Sequence, residues 1–134
     1  MSESATATEA PPQPQGKRTH ENPQVKNLRI KTGVVRRLLK EKISYEDQSI
    51  KDREKVNELK SKDAPKSELE HFQDILTETL RMIPDAQRRM KTYFQELKTI
   101  VDTQESSLKD LPGGQAELDA AKAVLAEAEP HTTN

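Results

Sequence analysis

The stretch "LEHFQDILTETLRMIPDAQRRMKTYFQELKTIV" (residues 69–101) decides the fold, because it holds a proline inside a long periodic pattern. Pro84 has no N–H to offer the carbonyl of Leu80, and its ring crowds that turn, at a cost of about 3 kcal/mol in a helix interior. Leu69, Leu76, Ile83, Met90 and Leu97 nevertheless follow one another at intervals of seven. Phe72, Ala86, Tyr93 and Ile100 form a second row, and Leu80, Phe94 and Val101 a third. All the rows keep their register across Pro84, whereas a loop would reset the phase. One helix is therefore expected to bend at Pro84 and continue. The proline lies off the apolar face, where water can satisfy the Leu80 carbonyl.

On the N-terminal side, "SKDAPKSE" (61–68) has the composition of a turn. Asp63 can cap the next helix with Pro65 in its opening turn, or Ser67 and Glu70 can form a capping box. Before that turn, Leu28, Val35, Leu38, Leu39, Ile43, Tyr45, Ile50, Val56 and Leu59 recur at mostly helical spacings. The stripe is loose, since Lys42, Ser49 and Asp52 fall where a tight heptad wants apolar groups. Asn22-Pro23 offers an N-cap residue followed by proline at the first helical position, with Asn27 as a later alternative start. Gly33, near the start, costs up to about 1 kcal/mol relative to alanine.

On the C-terminal side, "LPGGQ" (111–115) forms the second turn, with Gly113 and Gly114 expected to supply positive φ. Leu118, Ala121, Val124, Leu125 and Ala128 give the last helix a thin face suited to close approach. The expectation is an all-α fold: an antiparallel, up-down-up three-helix bundle with a proline-kinked middle helix. Its helices should span about 22–60, 64–108 and 115–129 within a domain of residues 22–129. Residues 1–21 form a Pro/Ser/Thr-rich tail with no sizeable apolar group beyond Met1, expected to be disordered, and residues 130–134 should fray.

The bulk composition narrows the function. The chain has 134 residues, 34% of them charged and 3% aromatic, so its core is thin and aliphatic. The absence of cysteine excludes disulfides and thiolate metal sites. No apolar run approaches the roughly 18 residues of a membrane span. The N-terminus has no secretory apolar stretch, and Glu3 and Glu9 argue against a transit peptide, so a cytoplasmic protein is expected. His20, His71 and His131 lie at no metal-ligand spacing, and neither a phosphate-cradling glycine loop nor a nucleophile elbow is present. No enzymatic activity, cofactor or metal is expected.

Charge is distributed unevenly. From Val25 to Ile43 there are seven basic residues against Glu41 alone; from Asp102 to Glu129 there are seven acidic residues against Lys109 and Lys122. The basic segment "KNLRIKTGVVRRLLKEK" (26–42) is amphipathic, but Val35, Leu38 and Leu39 are needed for the core and no tryptophan or phenylalanine anchors it. Neither a membrane nor nucleic acid is therefore expected as a partner. The segment reads as a solvated basic face, which leaves room for a protein partner with an acidic surface. Asp85 can pair with Arg81 and Arg89 at four-residue spacing and with Arg88 at three. Such pairs contribute only about 0.2–0.5 kcal/mol each, far less than the proline beside them costs. Local stability does not account for the stretch; curvature or a binding surface would.

"IKTGVVRRLLKEKISYE" (30–46) and "RMIPDAQRRM" (81–90) closely resemble the most characteristic stretches of the tubulin-binding cofactor A, or tubulin-specific chaperone A, family. The resemblance extends over residues 27–129. Ala86 stands where that family usually has cysteine, which speaks against a thiol role, and the Pro-rich tail is longer than usual. The resemblance implies a three-helix bundle that captures β-tubulin folding intermediates released by the cytosolic chaperonin. It would pass them to the other tubulin-folding cofactors without ATP, in the cytoplasm and in association with microtubules. Arg36, Arg37, Arg81, Asp85, Arg88 and Arg89 are the candidate protein-binding residues, with Pro84 as the structural kink. Exposed aliphatic parts of the first two helices would add contact area. A monomer is favoured over a homodimer. The alternative is a structural coiled-coil adaptor dimerising through the middle helix, which a measured mass distinguishes. Deleting residues 1–21 is expected to leave helical circular dichroism and melting temperature unchanged; a fall of several degrees would show that the tail belongs to the fold.

Overall fold

The computed structural model describes residues 21–133, so the bulk of the tail expected over residues 1–21 lies outside the described residues. Three long helices account for nearly all of the described chain: α1 (Pro23–Ser61), α2 (Lys66–Leu108) and α3 (Gly114–Ala128), followed by a 3₁₀ turn at Glu129–His131. Among the described residues there is no strand.

Each helix begins for a local reason. Asn22 caps α1, its side chain accepting the Gln24 N–H at 2.7 Å, and Pro23 occupies the first helical position. Glu21, assigned to the tail by composition, accepts a 2.9 Å ion pair from Arg29. For α2 both expected caps are corrected: Pro65 is the N-cap and no side chain caps the helix. Asp63 instead takes φ 57° within the turn, a left-handed conformation that aspartate tolerates. At the second turn only Gly113 has positive φ, at 78°. Gly114 is the first residue of α3, and a Cβ there would collide with the Leu108 carbonyl oxygen, so close backbone approach requires it. α2 continues as one helix from Lys66 to Leu108 with Pro84 inside it and exposed.

Length governs the packing. At 1.5 Å per residue, α1 and α2 are about 58 and 64 Å long, but α3 is only about 22 Å. The main core therefore lies at one end, where Val25, Leu28, Val35, Leu38 and Leu39 of α1 meet Met90, Phe94, Leu97, Val101 and Leu108 of α2 and Leu118, Ala121, Val124 and Ala128 of α3. Every buried residue of α2 lies from Ala86 onward. Cross-helix polar contacts tie α1 to α2: Lys31 with Glu96 at 2.8 Å, Glu41 with Arg89 at 3.4 Å and Asp52 with Thr79 at 2.6 Å. α2 and α3 are joined by Glu105 with Lys122, and by Gln87 donating to the Thr133 carbonyl at 2.8 Å.

The loose stripe of α1 resolves into a regular one once polar residues are admitted to it. Lys42, Ser49 and Asp52 are all buried. Lys42 donates to Glu46 at 2.6 Å and to His131 Nδ1 at 3.2 Å. Ser49 donates to the Glu46 carbonyl at 2.7 Å, and Asp52 accepts from Thr79 and, at 2.9 Å, from Gln48. Ile50, expected in the apolar stripe, is 57% exposed, and Leu80 and Tyr93 are each 39% exposed. His131, expected in a frayed end, is half-buried against α1.

Two glycines in this fold should respond oppositely to the same substitution. Space around Gly33 is open, with no heavy atom within 4 Å of an added Cβ. Gly33→Ala is expected to stabilise the protein by up to about 1 kcal/mol in urea unfolding. Gly114→Ala, forced against a backbone carbonyl, is expected to lower the midpoint markedly.

Candidate functional site

The arginines singled out above divide into two environments. On α2, Arg81 pairs with Glu78 at 3.1 Å and not with Asp85. Asp85 accepts from Arg88 at 3.4 Å and from Arg89 Nε at 3.3 Å. Arg89 also reaches across to Glu41 of α1, Nη1 to Oε1 at 3.4 Å and Nη2 to Oε2 at 3.5 Å. That hydrogen bond to Glu41 holds the Arg89 pKa above its ordinary value. Arg89 therefore spans two helices, whereas Arg81 and Arg88 project from α2 with side chains 70% and 72% exposed. On α1, Arg36 and Arg37 are exposed, and among the described residues neither has a carboxylate within ion-pair distance. The fold does not bring them to the α2 cluster.

A second feature adjoins the cluster. Val25 lies beside Gly113, 3.9 Å from a Cβ built there, and so marks the side of α1 that faces α3. Ile43 and Ile50 follow Val25 by five and about seven helical turns, on the same side. On α2 the α3-facing side is marked by Glu105 and Gln87, through Lys122 and Thr133. Leu80, Leu76 and Leu69 precede Gln87 by seven, eleven and eighteen residues, again on that side. By helical phase, the sides of α1 and α2 that α3 covers at one end of the molecule are thus left uncovered by α3 beyond the 3₁₀ turn. Ile50 and Leu80 stand open along that stretch, Leu69, Leu76 and Ile83 are half-buried, and Ile75 is 36% exposed nearby. Pro84 sits on α2 alongside this open stretch.

Sequence reasoning assigned these residues to a core because periodicity identifies a side of a helix and not the length of the neighbour that covers it. The signal was available in the 15 residues of α3 set against the 43 of α2. Among the described residues no group of three or more His, Cys, Asp or Glu side chains is placed to hold a metal ion, and no helix is long and apolar enough to cross a membrane.

The described structure is thus all-helical, with apolar side chains left uncovered between two long helices and arginines nearby. Comparison with known proteins makes the class specific. The family model for tubulin binding cofactor A matches residues 23–125. Tubulin-specific chaperone A of Mus musculus is 36% identical over 104 residues, covering 78% of this chain and 92% of that protein. The solved structure of human tubulin chaperone cofactor A aligns with TM-score 0.68 and 32% identity over 80% of this chain and 99% of the other. The crystal structure of tubulin folding cofactor A from Arabidopsis thaliana aligns with TM-score 0.70 and 31% identity, over 80% and 96% of the two chains. The chain belongs to the tubulin binding cofactor A family.

The two α2 arginines next to Asp85 should separate in a stability measurement. Arg88→Glu is expected to leave the melting temperature nearly unchanged. Arg89→Glu sets a third carboxylate beside Asp85 and Glu41 and is expected to lower it.

Proposed function

We propose that this protein captures β-tubulin folding intermediates released from the cytosolic chaperonin and passes them to other tubulin-folding cofactors. It acts in the cytoplasm as a monomer, without ATP, by holding and releasing. The observation that carries this reading is the open groove between α1 and α2, lined by Ile50, Leu76, Leu80 and Ile83. A folding intermediate still has apolar surface to cover, and full burial of an Ile or Leu side chain contributes about 1.5–3 kcal/mol. The relatives' names as tubulin chaperones and folding cofactors point to the client. Arg81 and Arg88 border the groove with side chains free to rotate off Glu78 and Asp85, since such exposed pairs are weak. They bind client carboxylates bidentately and so orient the client and speed its association.

We further infer that the chain runs up, down and up, and that Pro84 bends α2. The ordered pairing of Lys31, Glu41 and Asp52 with Glu96, Arg89 and Thr79 supports the first. The lost hydrogen bond at Leu80 supports the second. The bend curves α2 along the open stretch and matches it to a rounded client surface.

The decisive measurement is complex formation between the purified full-length chain and β-tubulin released from chaperonin, followed by size-exclusion chromatography. Ile50→Asp with Leu80→Asp should leave the helical signal intact, because both side chains are already exposed, and should weaken the complex at least about tenfold. Pro84→Ala should hold or raise stability while binding falls. Undiminished capture by the folded double variant would remove the groove from the mechanism.

A further inference from the structure

The side of α1 turned away from both other helices carries a different kind of surface. Lys26, Ile30, Gly33, Arg37 and Lys40 follow one another in steps of three or four, so they form one stripe, with Arg36 along its edge. Lys26, Arg36, Arg37 and Lys40 are all exposed, and Ile30 is 50% exposed among them. From Pro23 to Lys40 there is no aspartate or glutamate at all. Many cations on the other outward faces are paired locally: Glu78 with Arg81, Asp85 with Arg88, Lys98 with Asp102, and Glu58 with Lys55 and Lys62. Lys51, Arg53, Lys60, Lys91 and Lys109, unpaired among the described residues, are interspersed with acidic residues. Among the described residues, none of the stripe's cations has a carboxylate within ion-pair distance, although Arg29 and Lys31 on either flank do.

This arrangement disfavours the helix that carries it. Arg36 and Lys40 are four apart and Arg37 and Lys40 three, and like charges at those spacings cost about 0.2–0.5 kcal/mol per pair. Lys26 lies in the first turns of α1, at the positive end of its macrodipole. Gly33 adds its own cost, and nothing packs against it that would demand a glycine. An external anion would offset the two electrostatic costs, neither of which serves the core.

We propose that this stripe is a docking site for an acidic peptide segment of a protein partner. Its carboxylates bind Arg36, Arg37, Lys40 and Lys26, and the bare backbone at Gly33 beside Ile30 forms a low floor between the cations. From Lys26 to Lys40 is about 21 Å along the helix, the reach of roughly six residues of extended chain. The charge complement selects the occupant. Nucleic acid would want stacking aromatics, and residues 22–40 contain none; a membrane would want more than one exposed apolar side chain. Lys26, Ile30, Gly33 and Arg37 face away from the open stretch, whereas Arg36, seven and fourteen residues before Ile43 and Ile50, lies on its side of α1 and is therefore left in place in the test below.

The test is fluorescence anisotropy of a labelled decaglutamate peptide titrated with the full-length protein at near-physiological salt. The triple variant Lys26→Gln, Arg37→Gln, Lys40→Gln is compared with Lys60→Gln, Lys91→Gln, Lys109→Gln, which removes equal charge elsewhere. Both variants are checked for unchanged helicity. The stripe variant should bind at least about tenfold more weakly with a shallower salt dependence, while the control stays within about twofold of the parent. No binding by the parent, equal losses in both variants, or tighter binding of a single-stranded oligonucleotide of the same charge would each overturn the assignment.

Discussion

A short third helix laid against two long ones is the constraint on which the rest of the molecule depends. Two helices alone bury only the residues on the line between them, whereas adding a third also covers the positions on one side of that line. α3 supplies this cover for about 22 Å and then stops. Where it lies, Leu28, Met90, Leu97, Leu108 and Leu118 lose essentially all contact with solvent. Where it does not, α2 has no buried residue, although Leu69, Phe72, Leu76, Leu80 and Ile83 maintain the same apolar rows. The apolar pattern thus runs past the element that could satisfy it. That excess is what the proposed function assigns to a client.

The two-helix stretch needs something other than apolar burial to hold its register, because leucine rows spaced by seven can slip by a heptad. Asp52 supplies it. Asp52 is 8% exposed as a residue, and its carboxylate accepts from Thr79 of α2 and Gln48 of α1. A slipped register would strand that charge without its α2 partner, and stranding a buried charge costs more than a good pairing contributes. Lys42 performs the matching task where α3 ends, binding Glu46 on its own helix and His131 in the 3₁₀ turn. Polar groups therefore fix the register at the start of the uncovered stretch and again midway along it.

Much of this was legible in the sequence where a signal is local or strictly periodic. The cap at Asn22 and the passage of α2 through Pro84 follow from residue type and phase. What could not be read was anything that depends on where a neighbour ends. Ile50 and Leu39 look alike as members of an amphipathic helix, yet one faces solvent and the other lies beneath α3. Lys42, Ser49 and Asp52 weakened the apparent stripe because hydropathy scores a buried, bonded polar group as a surface one. Asp85 offered Arg81 a pair at helical spacing, but Glu78 was as near, and only geometry chooses between them. His131 was indistinguishable from a solvated terminal histidine, since its partner lies 89 positions away.

Charge is partitioned between the two long helices in a way that complements the groove. α2 carries arginines beside carboxylates of its own, so its outward face is close to neutral, and its cations become available only as weak pairs exchange. Among the described residues, α1 keeps its exposed cations Lys26, Arg37 and Lys40 without an ion pair, the feature on which the proposed acidic docking site rests. Arg89 joins the two systems: by binding Glu41, it withdraws the one acidic residue that lies closest to the unpaired arginines of α1. The same contact that fastens α1 to α2 leaves the outward face of α1 positive.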